Sequence, residues 1–137
     1  MSGYSGTPLP KKLGIKDGYR VALLDMPTDV RSGLAEALAR CRVVKTPTAP
    51  LDFIHLFAKS RAELEPELER VAKALAPAGM LWVSWPKKSS GVATDLTEDV
   101  VRGIGLYAGL VDIKVCAVTE VWSGLKFVIP VKKRPKR

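Results

Sequence analysis

Continuous apolar runs of strand length recur along the middle of the chain. Three of them, at residues 20–25, 52–57 and 80–85, are each followed within two positions by a proline or a polar residue. Uninterrupted runs of this kind indicate strands that are covered on both faces, because a half-exposed strand alternates apolar and polar positions. The shorter segment 42–45 is a fourth strand candidate.

Three helices are predicted between and after these runs, from apolar residues spaced three or four positions apart. Thr28 or Asp29 can cap the first helix, which ends near Arg40. The other two open with possible capping boxes, in which a glutamate follows three residues after a side chain that can accept a hydrogen bond. These helices start at Ser60 with Glu63 and at Asp95 with Glu98, and they end near Leu75 and Gly109.

The two ends of the chain carry different patterns. Glycines and prolines recur through residues 1–18, which predicts an irregular N-terminal arm. Alternating apolar positions in segments 113–118 and 125–131 predict an antiparallel hairpin. We therefore expect one α/β domain over residues 19–131, followed by a basic tail at 132–137.

The order of these elements predicts the fold class. Strands that alternate with helices form a parallel sheet with right-handed crossovers and with helices on both faces. The chain is therefore expected to be a small three-layer, Rossmann-like α/β domain, to which the C-terminal hairpin adds an antiparallel edge. If segment 125–131 is that edge, its open backbone could pair with a second copy, so a homo-oligomer is left open.

Length and hydropathy argue against a membrane-spanning protein. The chain has 137 residues, enough for one self-sufficient core. None of its apolar runs approaches the roughly 20 residues that a membrane-spanning helix needs. Residues 1–10 lack the apolar stretch of a secretory signal, so we expect a cytoplasmic protein with no membrane partner.

The charge adds a weak indication of phosphate binding. Five of the charges behind the net +8 lie in the tail, at Lys132, Lys133, Arg134, Lys136 and Arg137. A terminal basic run is typical of a solvated tail that keeps a protein soluble. Together with Lys11, Lys12 and Lys16, this tail could also hold nucleic acid weakly and without sequence preference.

Histidine and cysteine usage argues against a metal site. His55, the only histidine, lies inside an apolar run and is interpreted as a buried structural residue. Cys41 and Cys116 each stand without another cysteine or histidine at ligand spacing, and we expect both thiols in the core. We therefore predict neither a metal nor a bound cofactor.

The tryptophans are interpreted mainly as core residues. Trp82 and Trp85 fall in one apolar strand at positions of opposite parity, so they face opposite sides of the sheet and cannot form one aromatic clamp. Trp122 lies in the predicted hairpin turn and is expected to be more exposed.

Four segments carry distinctive motifs. They are SGYSGTPLPKKLGIK at residues 2–16, WVSWPKKSSG at 82–91, TDLTEDVVR at 94–102 and GLVDIKVCAV at 109–118. Together they resemble a family of small bacterial proteins that is classified as a domain of unknown function. The resemblance covers nearly the whole chain, and it implies no particular activity.

A second similarity concerns the later half of the chain. Residues 51–57, the helix ending at Leu75, residues 76–82 and the closing hairpin resemble the second half of a class I methyltransferase. In that family, a glycine-rich turn after the first strand approaches the methyl-donor cofactor, and an acidic residue after the second strand holds its ribose. Here residues 25–29 contain no glycine and Lys45 stands at the acidic position. The resemblance therefore implies a methyltransferase-like topology for the sheet, but not the methyl-transfer chemistry.

Ligands of open parallel sheets bind outside the carboxyl ends of the strands. In this chain, that rule selects the loops at residues 25–29, 58–61 and 86–95. Basic, hydroxyl and glycine residues in them predict an anion site, centred on segment 87–91 at the start of the third helix. The predicted ligand residues are Lys59, Arg61, Lys87, Lys88, Ser89, Ser90 and Gly91. A solvated turn explains segment 87–91 equally well, since the chain has no Walker loop.

Three functions follow from these observations. The leading hypothesis is a non-enzymatic binding module that takes a small anionic ligand or an acidic partner at this edge of the sheet. The first alternative is a degenerate methyltransferase-like enzyme that uses Asp25 or Asp95 as acid or base. The second alternative is non-specific nucleic-acid binding through the basic tail and the N-terminal lysines.

Overall fold

The computed structural model describes residues 6–135. Its strands are β1 (Arg20–Leu24), β2 (Arg42–Val44), β3 (Leu51–Phe57), β4 (Leu75–Pro86), β5 (Val111–Ala117) and β6 (Trp122–Val128). Its helices are α1 (Leu9–Leu13), α2 (Thr28–Gly33), α3 (Ala35–Leu38), α4 (Arg61–Ala72) and α5 (Glu98–Tyr107). Short 3-10 turns lie at Lys88–Ser90 and Val131–Lys133.

One six-stranded sheet in the order β2-β1-β3-β4-β6-β5 forms the middle of the molecule. Strands β1 to β4 pair in parallel, as the alternating pattern predicts. Strand β6 runs antiparallel to both β4 and β5. Helices cover both faces of the sheet. The predicted Rossmann-like α/β fold is therefore confirmed.

The C-terminal hairpin is present, but its strands take unexpected places. Strand β6 lies inside the sheet between β4 and β5, so the prediction of an open edge at segment 125–131 is wrong. The physical reason is that Leu125 and Phe127 bury their side chains in the core beneath α4 and α5. Strands β2 and β5 form the edges of this sheet, and β5 exposes Ile113 and Val115.

Two apolar clusters lie on opposite faces of the sheet. One contains Trp85 and lies beneath α4 and α5, and the other contains Trp82 and lies beneath α1, α2 and α3. The opposite orientation of these two tryptophans is confirmed. Trp122, expected to be more exposed, is buried and packs edge-on against Phe57, with ring centroids 5.1 Å apart. It is buried because β6 begins at Trp122 itself rather than after a turn.

The N-terminal segment is not irregular throughout, because it contains α1. Pro10 lies in the first turn, where a proline costs no hydrogen bond, and Gly14 ends the helix in a left-handed conformation with φ 85°. Leu13 is fully buried, and its carbonyl accepts the Trp82 indole N–H at 2.8 Å. The predicted arm thus includes a helix that belongs to the core.

The first crossover contains two short helices rather than one. Helix α2 ends at Gly33, and α3 starts after Leu34, whose φ of −108° departs from helical geometry. Glycine is a weak helix former, which explains the break. Pro27 occupies the N-cap position, so neither Thr28 nor Asp29 caps the helix as predicted.

The remaining helices begin at side-chain caps. Ser60 Oγ accepts the Glu63 N–H at 3.2 Å, as the capping box predicts. Helix α4 ends at Ala72, and β4 starts at Leu75, so the predicted end of the helix near that residue is too late. The segment after it joins β4 because Leu75 pairs with Leu51 of β3. Helix α5 is capped by Thr97 rather than by Asp95, as shown by Thr97 Oγ1 accepting the Val100 N–H at 3.3 Å.

His55 is buried in the sheet, as predicted. Its Nε2 lies 2.8 Å from Ser84 Oγ, and its ring stacks on Phe57 with centroids 4.4 Å apart. The other ring nitrogen, Nδ1, is buried and has no hydrogen-bond partner among residues 6–135. Burial lowers the pKa of His55 to about 3, so the ring is neutral at physiological pH.

The two cysteines are only half-buried, so the expectation that both thiols lie within the core is wrong. Cys41 and Cys116 pack at the margin of the cluster beneath α1, α2 and α3. Partial burial raises the pKa of both thiols. A raised pKa keeps a thiol protonated and therefore poorly nucleophilic at neutral pH.

The neutral state of His55 makes stability depend on pH. The unfolded chain takes up this proton near pH 6.5, whereas the folded chain takes it up only near pH 3. Between these values the unfolded state holds the extra proton. The free energy of unfolding should therefore fall as the pH drops, by up to about 1.4 kcal/mol per pH unit from this group. Urea unfolding at several pH values between about 7 and about 4 measures this loss of stability.

The matched variant is His55→Gln, whose amide can still bond to Ser84 but cannot take up a proton. It should show a weaker decline over the same range, because the contributions of all other groups are shared. An identical pH dependence in the two proteins would show that His55 does not hold so low a pKa.

Candidate functional site

The three loops selected from the sequence lie at the carboxyl ends of β1, β3 and β4, on one edge of the sheet. Two of them are joined directly. The Thr94 hydroxyl donates to the Lys59 carbonyl at 2.6 Å, and the Asp95 carboxylate accepts the Arg61 backbone N–H at 2.9 Å. Asp95 thus places a negative charge at the start of α4, where the helix dipole favours it. This structural role leaves Asp25 as the stronger acid or base candidate.

Segment 87–91 is a self-contained turn. Lys88–Ser90 form a 3-10 turn, in which Ser90 Oγ donates to the Lys87 carbonyl at 2.6 Å. Helix α5 begins well beyond it, after the Thr97 cap, so the expectation that this segment lies at the N-terminus of the third helix is wrong. The dipole of α5 therefore does not favour an anion at this turn.

The predicted anion-binding residues do not converge on one point. Lys87 lines a cleft beside α1 and α2, whereas Arg61 lines a groove between α4 and α5. Arg61 also pairs with Glu65 at 2.9 Å. Neither the cleft nor the groove is lined by the other predicted residues, which are Lys59, Lys88, Ser89, Ser90 and Gly91. Lys87 is therefore the member of the set that belongs to a cleft beside the strand ends.

This cleft, which we call the strand-end cleft, has a volume of about 600 Å³. Its walls come from the N-terminal segment, helix α2, the end of β4 and the β5–β6 turn. The lining residues are Thr7, Pro8, Leu9, Pro10, Lys12, Asp29, Val30, Gly33, Lys87, Ala117, Val118, Thr119 and Glu120. A volume of this size is typical of small-molecule sites.

Hydrogen bonds fix the walls of the strand-end cleft. Lys12 Nζ donates to the Ala117 carbonyl at 3.2 Å, which ties α1 to the end of β5. The Lys87 N–H donates to the Val121 carbonyl at 2.7 Å, which ties the end of β4 to the same turn. Within the turn, Thr119 Oγ1 accepts the Val121 N–H at 3.1 Å. These bonds connect the N-terminal segment, the end of β4 and the β5–β6 turn around the cleft.

Both signs of charge line the strand-end cleft. Asp29 and Glu120 contribute carboxylates, and Lys12 and Lys87 contribute ammonium groups. The Lys12 ammonium already donates to a carbonyl. The Lys87 ammonium has no hydrogen-bond or ion-pair partner within residues 6–135. Lys87 is therefore the cation best placed to meet an anionic group of a ligand.

Sequence reasoning missed two walls of this cleft. The N-terminal wall has a local signal, since Pro10 and Gly14 stand where a short helix starts and stops. The β5–β6 turn has none, because it reaches the cleft only through the insertion of β6 beside β4. Pairing between distant strands cannot be inferred from periodicity alone.

The groove between α4 and α5 is larger, at about 1260 Å³. Leu68, Ile104 and Leu110 give it an apolar floor, and Tyr107 stands beside it with 93% of its surface exposed. Its charged rim mixes both signs and includes the paired Arg61. The groove lies between two helices, whereas ligands of open parallel sheets bind outside the carboxyl ends of the strands, so the strand-end cleft is the stronger candidate.

Two further features, a membrane-spanning helix and a metal site, are not found in residues 6–135. None of its helices is long and apolar enough to cross a membrane. No group of three or more histidine, cysteine, aspartate or glutamate side chains gathers there as metal ligands would.

Comparison with known proteins gives a fold and not a family. No family model matches the chain, and no curated protein matches it. The resemblance to the bacterial family of unknown function is therefore not confirmed.

Solved methyltransferases share the architecture. A Sulfolobus solfataricus protein assigned as a type 11 methyltransferase aligns over 94% of both chains, with a TM-score of 0.60 and 14% identity. A TehB-like methyltransferase from Corynebacterium glutamicum aligns over 88% of this chain and 85% of its own, with a TM-score of 0.55 and 11% identity. The chain has the class I methyltransferase fold.

The fold also matches part of a larger enzyme. An O-methyltransferase of neocarzinostatin biosynthesis, solved with S-adenosylmethionine, aligns over 86% of this chain with a TM-score of 0.59 and 15% identity. The present chain spans only about half of that enzyme, 52% of its length. At such identities the likeness establishes the fold alone.

The strand ends do not fit the methyl-donor cofactor that this fold implies. Asp25, Met26 and Pro27 place side chains where the family has a glycine-rich turn, and Asp25 holds a left-handed backbone with φ 57°. Lys45 follows β2 at the position of the acidic residue. An ammonium group cannot accept hydrogen bonds from ribose hydroxyls. The fold is therefore present without the groups that hold the cofactor in that family.

The left-handed backbone at Asp25 predicts a gain in stability on glycine substitution. A side chain in this conformation is strained, and glycine removes the strain at some entropic cost. We expect Asp25→Gly to raise the free energy of unfolding by about 0.5 to 1 kcal/mol. Chemical denaturation measures the difference. Asp25→Ala is the control, since it removes the carboxylate but keeps Cβ and should bring no such gain.

If Asp25→Ala and Asp25→Gly changed stability equally, the carboxylate rather than the backbone would be responsible. That result would contradict the assignment of strain to this position.

Proposed function

We propose that this chain is a ligand-binding protein built on a methyltransferase fold, with the strand-end cleft as its site. The observation that carries the proposal is Lys87, whose ammonium group has no partner within residues 6–135 and which lines a cleft of about 600 Å³. Charge-assisted hydrogen bonds from such a group to an anion are stronger than bonds between neutral groups. A small anionic group of the ligand is therefore expected at Lys87.

The carboxylates of the cleft narrow the class of ligand. Asp29 and Glu120 line the same cleft as Lys87, so a ligand that carries only negative charge would meet repulsion there. A ligand with an anionic group at one end and a cationic group at the other complements both. A zwitterionic small molecule such as an amino acid fits this pattern better than a polyanion or an extended acidic surface.

The residues of the cleft favour binding over catalysis. Among the residues that the structure describes, its lining contains no histidine, cysteine or serine, so a serine or cysteine nucleophile paired with a histidine base is not found there. His55 lies fully buried in the sheet, bonded to Ser84. Asp95 is used to cap α4. A binding module is therefore preferred.

A degenerate methyltransferase-like enzyme is the second candidate function, and the fold shared with solved methyltransferases favours it. Asp25, at the end of β1, would be its acid or base. The side chains at residues 25–27 and the cation at Lys45 weigh against it, since they replace the groups that hold the cofactor in that family.

The test is a binding screen of the standard amino acids against the full chain, by thermal shift and then by calorimetry. Acetate and succinate serve as probes with negative charge only. We expect an amino acid to bind, and Lys87→Ala to weaken its binding about tenfold, since one charge-assisted bond contributes about 1.5 kcal/mol.

Lys88→Ala is the matched control. Lys88 has the same charge and lies next in the chain, but it does not line the cleft, so its removal should leave affinity unchanged. A screen without any binder would contradict the proposal. Equal losses in the two variants would contradict it as well, because they would indicate a general charge effect.

A further inference from the structure

Lysine side chains gather where the end of α1 meets the β5–β6 hairpin. We call Lys12, Lys16, Lys114 and Lys126 the lysine cluster. Lys114 and Lys126 lie directly opposite each other on the paired strands β5 and β6. Lys114 Nζ donates to the Lys12 carbonyl at 3.0 Å, so β5 and α1 are in direct contact here. Lys16 follows α1, and its charge acts on Lys126. Lys16, Lys114 and Lys126 thus bring positive charges from three parts of the chain to one surface.

Lys126 is the central member of the lysine cluster. It is half-buried. Its Nζ lies beside Gly14, since a Cβ built on that glycine would be 3.9 Å from Nζ and 3.4 Å from the Met80 side chain. Its ammonium therefore rests against the backbone at the end of α1. Within residues 6–135 it has no hydrogen-bond or ion-pair partner. An ammonium group that is partly removed from water and left unpaired is unfavourable.

The neighbours of Lys126 add repulsion rather than compensation. Burial, followed by the charges of Lys114 and Lys16, lowers the pKa of Lys126. Within residues 6–135, no carboxylate contributes to this shift of the pKa. Like charges directly opposite on neighbouring strands destabilise a sheet. The arrangement therefore lacks a counter-charge, and the part of the chain described by the structure does not supply one.

We propose that the lysine cluster binds a phosphate group, seated on Lys126 and flanked by Lys16 and Lys114. Several ammonium groups around one point call for a ligand group with more than one negative charge and several acceptor oxygens, which a phosphate has and a single carboxylate lacks. Lysine binds phosphate as a point charge and needs no planar geometry to do so. The phosphate could belong to a small molecule or to a nucleic-acid backbone.

Lys12 borders both the lysine cluster and the strand-end cleft, but the residues proposed to hold the phosphate belong to the cluster alone. Lys16, Lys114 and Lys126 do not line that cleft, whose expected anchor is Lys87. The phosphate site can therefore be tested independently of the proposed function, with variants of different residues.

The experiment titrates the full chain with inorganic pyrophosphate by calorimetry, and with a labelled single-stranded DNA oligonucleotide by fluorescence anisotropy. Ionic strength is held constant, so that screening does not change along the titration. The variants are Lys126→Gln and Lys16→Gln, and the control is Lys73→Gln, an exposed lysine on the opposite helical layer. Lys16 is exposed, so its variant keeps the core intact.

We expect Lys126→Gln to weaken binding of the probe about tenfold or more, Lys16→Gln to weaken it severalfold, and Lys73→Gln to leave it unchanged. Thermal unfolding without phosphate gives a second readout. Lys126→Gln should be at least as stable as the original chain, since it loses an unpaired charge, and added pyrophosphate should stabilise the original chain more than the variant.

The two probes distinguish the possible sources of the phosphate group. Pyrophosphate binding that is lost in Lys126→Gln supports the site with a small phosphate ligand. Oligonucleotide binding alone, lost in the same variant, supports it with a nucleic-acid backbone as the source of the phosphate. Absence of binding to both probes overturns the proposal, as does binding that persists in Lys126→Gln. A large loss of stability in that variant without phosphate would also overturn it, because it would indicate a structural role for the lysine.

Discussion

One buried hydrogen bond holds the N-terminal segment on the sheet. The Trp82 indole N–H donates to the Leu13 carbonyl at 2.8 Å, and both residues are fully buried. Without α1 the indole N–H would lose this partner, at a cost of about 1 to 3 kcal/mol if it stayed buried. The same helix brings Lys12 to the strand-end cleft and Gly14 against Lys126. Both proposed sites therefore depend on this contact.

This chain has the fold of a methyltransferase but different residues at the strand ends where such a fold holds its cofactor. The order of the sheet, with an antiparallel strand inserted beside the last one, is set by apolar burial on both faces. Cofactor binding depends on few residues at one edge, and these can change without affecting that burial. Residues 25–27 and Lys45 are such changes. The cleft formed by α1, α2 and the β5–β6 turn lies beside that edge and offers a different set of charges.

The parallel strands could be predicted from the sequence because burial on both faces makes each a continuous apolar run. Helix α1 was missed because prolines and glycines are also typical of irregular segments, although Pro10 and Gly14 suit the start and end of a short helix. The place of β6 was not predictable, since alternation shows that a strand exists but not which strands it pairs with. Lys87 could be selected from the sequence because it directly follows a predicted strand. The pairing of Lys114 with Lys126 could not, since it depends on which strands pair and in which register.

Calorimetric titration of S-adenosylmethionine into the folded chain tests most directly whether this fold has kept its cofactor site. A methyltransferase of the same fold, measured in the same buffer, provides the positive control. The side chains at residues 25–27 and the ammonium of Lys45 predict no saturable heat of binding for this chain. Saturable one-to-one binding would contradict the loss of the site, and it would make methyl transfer the leading function.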